Sequence, residues 1–194
     1  MIKTVNLSPQ DITLSDLEVA ARLKTKLGYT DNAVEECKAE LFKVITPKFC
    51  YSQTEVSVIN EDTCRFDFGE LVSRNLAENL KNCKKAYLLA ATVGVSTDRF
   101  IARCLSLSPA KGFIADALSS AAVEAVCDYA DSFLRGENKK PMRFSAGYGD
   151  LDLKNQPIIL ERLSAYKNVG ITLTKGFLMV PQKSVTAILG VQDD

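Results

Sequence analysis

Arg143-Phe144-Ser145-Ala146-Gly147-Tyr148-Gly149-Asp150 brings together a fixed cation, two glycines, a phenol and a carboxylate. A guanidinium presents a planar fork of donors suited to a carboxylate or phosphate, and glycines permit tight turns and let backbone amides approach a ligand closely. Taken alone, the stretch reads either as a surface turn before the next helix, which Gly-Tyr-Gly-Asp signals most directly, or as a loop that clamps a ligand. The elements on either side bear on that choice.

The helix ahead of it, Lys111 to Arg135, is the clearest in the chain. It is rich in alanine, with Phe113, Ala117, Ala121, Glu124 and Cys127 on a near-heptad stripe whose small side chains let another element come close. Glu124 stands in the apolar run Ala121 to Val126, so it either points to solvent, as one helical glutamate usually does, or faces a ligand pocket. The polar link Gly136 to Pro141 then leads to Arg143. Beyond Asp150 the pattern predicts a helix from about Gln156 to Tyr166, with Pro157 tolerated near its start, ended by Asn168 and Gly170. Ile171 to Thr174 and Ser184 to Val191 predict the strands of a final antiparallel pair, linked by Phe177 to Lys183.

Toward the N-terminus, Ser15 and Asp16 cap an amphipathic helix that Gly28 ends, and a second helix runs from about Asn32 to Val44 until Pro47 stops it. Cys50 to Ile59 and Thr63 to Phe68 alternate in polarity and predict a hairpin. Leu71, Leu76 and Leu80 predict a short helix, and Ala86 to Val93 a buried strand. Gly94 ends that strand, and Ser96-Thr97-Asp98 can cap a helix through about Cys104. A strand, a glycine turn and a helix N-terminus can bind an anion, but this segment is neither a dinucleotide fingerprint nor a Walker loop.

The 194 residues suffice to bury a core without staples, and 46% hydrophobic with 25% charged residues is an ordinary soluble composition. Lys plus Arg balances Asp plus Glu at 24 each, so no global field draws the chain to nucleic acid or an anionic membrane. The six cysteines form no C-x-x-C pair, which favours buried thiols in a reduced, cytoplasmic protein over a disulfide framework. The start carries no apolar signal region, so Met1 is expected to belong to the mature protein, and no apolar run is long enough for a membrane span. The count of zero histidines excludes a Ser-His-Asp triad, a Cys-His dyad, an H-E-x-x-H zinc site and an imidazole ligand to cobalt or haem iron. Acid, base and charge roles fall to carboxylates, Lys, Arg, Tyr and Cys.

Several segments together resemble the reactivation domain of cobalamin-dependent methionine synthase, in the short form that occurs as a separate protein. They are Arg143 to Asp150, the helix Asp116 to Ala125, Val180-Pro181-Gln182-Lys183-Ser184-Val185-Thr186-Ala187-Ile188, and Ala91-Thr92-Val93-Gly94 before Asp98-Arg99. The resemblance implies a protein that binds S-adenosylmethionine and faces the cobalamin of a partner. On the matching positions, Arg143 holds the methionine carboxylate, Ser145, Ala146 and Gly147 contact the ligand through their backbone, and Glu124 makes a polar contact to it. Tyr148 faces the corrin. The pattern departs from the family at Thr174-Lys175-Gly176, where the family carries a carboxylate and this chain a cation.

The resemblance therefore implies an α+β fold with an antiparallel sheet and helices packed against it, like the methionine synthase activation domain. Residues 1–48 are expected to form an N-terminal helical segment continuous with an activation-domain-like core over 49–194. The implied function is accessory: reductive reactivation of methionine synthase in methionine biosynthesis. S-adenosylmethionine would be bound here, cobalamin supplied by the synthase or a related corrinoid protein, and the electron by a flavodoxin- or ferredoxin-like donor. The alternative is a non-catalytic module that docks on a corrinoid protein and shields or positions its cofactor.

Overall fold

The computed structural model describes residues 1–24, 32–136 and 140–192. Its centre is an antiparallel six-stranded sheet. β1 (Lys3–Asn6) and β3 (Thr63–Phe66) share one side of the long β2 (Lys48–Val58), and β4 (Gly69–Val72) extends the sheet beyond β3. β5 (Cys83–Thr92) lies on the other side of β2, pairing Lys48 with Thr92 through to Glu55 with Lys85. Outside β5 runs β8 (Ser184–Gln192), the last strand, from Ser184 opposite Thr92 to Gln192 opposite Cys83.

Helices cover both faces. α1 (Asp16–Leu23), α2 (Asn32–Phe42), α4 (Val95–Leu107) and α5 (Pro109–Arg135) pack on the face carrying Phe49, Leu89, Ala91, Ala187 and Leu189. α3 (Arg74–Leu80), α6 (Gln156–Arg162) and α7 (Ala165–Val169) pack on the face carrying Cys50, Ala86, Leu88, Ala90 and Ile188. β5 buries alternate residues into each core, which is why Ala86 to Ala91 is an unbroken apolar run, with the buried Thr92 following it. All six cysteines are buried, and desolvation pushes the Cys64 thiol up to about 11. No helix among the described residues is long and apolar enough to cross a membrane. Those residues also contain no cluster of three or more Cys, Asp or Glu side chains able to hold a metal ion.

The expected α+β architecture stands, with several local differences. α1 ends at Leu23, where Lys24 turns left-handed at φ 54°; Gly28 lies outside the described residues. β1 adds a strand to an N-terminal stretch read as helical. The helix expected over Leu71 to Leu80 starts only at Arg74, because Gly69–Val72 is taken up by pairing with β3. α4 is capped by Gly94, not by the Ser96-Thr97-Asp98 side chains. Phe113, placed on the packed stripe of α5, is 53% exposed.

The largest difference concerns the last strands. β6 (Thr172–Leu173) pairs with β7 (Met179–Val180) in a small hairpin of its own, and β8 pairs with β5. The turn between β6 and β7 closes through Thr174 N–H to Leu178 O at 2.9 Å and Phe177 N–H to Thr174 O at 3.0 Å. β8 is long enough to match nearly the whole of β5, so the two-residue β6 has only its own neighbour to pair with.

Candidate functional site

The 143–150 stretch is held at both ends. Phe144 forms an antiparallel bridge to Ile188 on the outer side of β8, donating at 3.0 Å and accepting at 2.7 Å. Ser145 Oγ donates to Thr186 O at 2.7 Å. The chain then turns sharply: Tyr148 N–H donates to Ser145 O, Gly147 N–H to Leu151 O, and Gly147 and Gly149 sit at φ 85° and 56°. An L-residue is strained there, and a Cβ on Gly149 would lie 2.5 Å from Asn75 Oδ1.

Asp150 anchors the far end. Its carboxylate accepts from Ser73 Oγ, from Arg74 N–H at 2.8 Å and from Asn75 N–H at 3.2 Å, so it caps the first turn of α3 from another part of the chain. The Ser73 hydroxyl, then these amides, hold its carboxyl below the usual carboxylate range. The motif's carboxylate is a structural tie.

Arg143, at the near end, reaches α5. Its Nη2 lies 3.0 Å from Glu124 Oε2 and its Nη1 lies 2.5 Å from Asp128 Oδ1. Four residues apart, the two acids share one helical face, and the guanidinium straddles them. The Glu18–Arg22 ion pair of α1 stands near enough to act on Glu124 as well. Burial pushes the Glu124 carboxyl above its ordinary value, and Arg143 opposes that shift without cancelling it. In an Arg143→Ala variant Glu124 is therefore expected to titrate higher still, as measured by carboxyl NMR. A fall would show that burial does not dominate.

Glu124, Ser145 and Ala146 line one cavity of about 580 Å³, within the usual size of a small-molecule site. Thr186 and Gln156 belong to its polar side and hydrogen-bond to each other at 3.0 Å. Phe177, Leu178 and Val180 of the β6–β7 hairpin form an apolar wall. The structure thus brings together three of the six residues singled out in the sequence and joins Arg143 to them through Glu124. Gly147 shapes the turn without lining the cavity, and Tyr148 lies outside the lining, 56% exposed, its ring edge-on to Phe144. Lys175 is exposed at the hairpin turn. Sequence reasoning missed Asp128, although its spacing from Glu124 could have revealed it, and the hairpin wall, for which no local signal exists.

No family model matches the chain, and no curated protein matches it. Among solved structures it is similar to the crystal structure of the MetH reactivation domain bound to AdoHcy, with a TM-score of 0.76. The two are 15% identical, over 100% of this chain and 79% of that one. Likeness at that identity is likeness of fold.

Proposed function

We propose that the chain binds S-adenosylmethionine and serves in trans as a reactivation protein for a cobalamin-dependent methionine synthase. The observation that carries this reading is the meeting of Glu124, Ser145 and Ala146, from α5 and from the 143–150 stretch, in one cavity beside Arg143. The residues fit such a ligand. Arg143 would hold the methionine carboxylate with a charge-assisted fork, and Glu124 would accept from the amino group or a ribose hydroxyl. The hairpin wall would cover the ligand's apolar surface and keep water away. S-adenosylmethionine supplies a methyl group on a sulfonium for transfer to the partner's reduced cobalt, so this chain needs to orient the ligand and no acid-base residue is required. Tyr148, exposed within the stretch, is assigned to face the corrin.

The test is to add the purified chain, S-adenosylmethionine and a flavodoxin- or ferredoxin-like donor to a cob(II)alamin-inactivated synthase. Recovery of activity is expected; none with the correct partner sinks the reading. A second reading draws on the two carboxylates that already satisfy Arg143 within the chain: a non-catalytic module that shields or positions a corrinoid cofactor. Calorimetry separates the two, because the module would bind the corrinoid protein and ignore S-adenosylmethionine.

A further inference from the structure

The ion pairs on Arg143 raise a question that the ligand role alone does not answer. A carboxylate that is to take a two-bond fork from Arg143 finds both terminal nitrogens engaged, Nη1 by Asp128 and Nη2 by Glu124. The two acids are not equivalent. Glu124 belongs to the cavity lining and its side chain is 33% exposed. Asp128 does not line that cavity, and its side chain is 66% exposed. Asp128 faces instead a second hollow of about 420 Å³, with Tyr129, Phe133 and Asp11. It makes the shorter contact to the guanidinium, and no other ion pair or hydrogen bond holds its side chain among the described residues.

We infer that Asp128 sets the affinity of the proposed site: it is an internal competitor whose carboxylate occupies the place on Arg143 that the ligand's carboxylate takes. This rests on reading the cavity as an S-adenosylmethionine site. The physical case is one of exchange. Arg143 is 24% exposed at its side chain, and a guanidinium so far withdrawn from water is better satisfied with an anion beside it than without. Asp128 supplies that anion while the cavity is empty. Because it is largely exposed, its release into water costs little, as for other solvent-exposed pairs. A ligand that brings its own carboxylate can displace it; one that lacks a carboxylate gains nothing by doing so and leaves the pair intact. Asp128 thus modestly lowers the affinity of any ligand held through a carboxylate on Arg143 and leaves the others unaffected.

Two measurements on the full chain test this, each with Asp128→Asn, which removes the charge at an exposed position and should leave the fold intact by thermal unfolding. The first needs no ligand. The rate at which phenylglyoxal modifies Arg143, followed by mass spectrometry of its peptide, should rise about two- to fivefold, the range set by an exposed ion pair. An unchanged rate overturns the proposal. The second is calorimetric titration with S-adenosylmethionine and with 5′-methylthioadenosine, which lacks the amino-acid portion. Asp128→Asn should tighten the first by about two- to fivefold and leave the second unchanged. Asp128→Ala, which also removes the acceptor, should do so at least as strongly. If both ligands tighten equally, or if the wild-type chain binds S-adenosylmethionine and the variant does so no better, competition at Arg143 is excluded while the site reading survives. If neither protein binds S-adenosylmethionine, the site reading falls and the ligand role of Asp128 falls with it.

Discussion

Replacing Arg135 with alanine is expected to lower the free energy of unfolding by roughly 3 kcal/mol, the range seen when one partner of a buried pair is removed. At the C-terminal end of α5 its side chain is 3% exposed and four bonds converge on it. Nε and Nη2 lie 2.6 and 2.8 Å from the two oxygens of Asp131, while Nη1 donates to Pro141 O at 2.8 Å and to Gly190 O at 2.9 Å. Alanine strands a carboxylate and two carbonyls, each of which costs free energy if left unpaired away from water. Lys140, 3.2 Å from Asp131, offsets part of the loss. Lysine in place of Arg135 keeps the charge but not the fork and should fall between. Urea unfolding measures all three proteins, and a loss below about 1 kcal/mol in the alanine variant, the value of an ordinary hydrogen bond, would show that the four contacts contribute little.

The same cluster gives stability an acid-side dependence. Burial raises the Asp131 carboxyl, but its bonds to Arg135 and Lys140 outweigh burial and leave it below its ordinary value. The folded state therefore holds this proton less tightly than the unfolded chain. The stabilisation is complete above the unfolded value, near pH 4, and is lost as pH falls through the depressed folded value. In Arg135→Ala that part of the acid-side slope should shrink.

Replacing Arg143 with alanine should weaken S-adenosylmethionine binding at least about thirtyfold, the loss expected when a charge-assisted partner is truncated, and should abolish reactivation. Two effects act in the same direction. The ligand's carboxylate loses its fork, and it then faces Glu124 and Asp128, whose charges Arg143 no longer balances. Arg143→Lys retains the charge without planar geometry and should recover part of the affinity. Calorimetry reads the loss of binding and the synthase assay the loss of reactivation. Wild-type behaviour in the alanine variant would remove Arg143 from the site.

Elements that bury a continuous or regularly spaced apolar face are the ones legible in this chain. β5 and α5 announce themselves because their buried sides are apolar but for Thr92 and Ser119. β1 does not: Lys-Thr-Val-Asn buries only part of Val5 and is a strand because β2 offers it an edge. For β6 and β8, strand character is local and readable, whereas the choice of partner depends on strand lengths and on where β5 already lies.

The site divides along the same line. Arg143 and Glu124 are conspicuous by residue type and setting, and they meet. Asp150 looks equally functional in sequence, yet it caps a helix whose N-cap serine lies 77 residues away, a relation no periodicity records. Asp128 looks like a solvated helical acid, and its distinction comes only from the guanidinium laid across it.

The pairing of Phe144 with β8 has a consequence beyond ligand geometry. A terminal strand of a sheet offers its outward amides and carbonyls to any other chain, and exposed rows of this kind seed aggregation. Along β8, Phe144 takes up both outward groups of Ile188, Ser145 takes the carbonyl of Thr186, and Arg135 takes that of Gly190. The loop assigned to hold a small molecule is thus also the guard on the open border of the sheet. Changes that lift it away would leave a strand ready to recruit its neighbours, so in this protein loss of the binding loop and loss of solubility should arrive together.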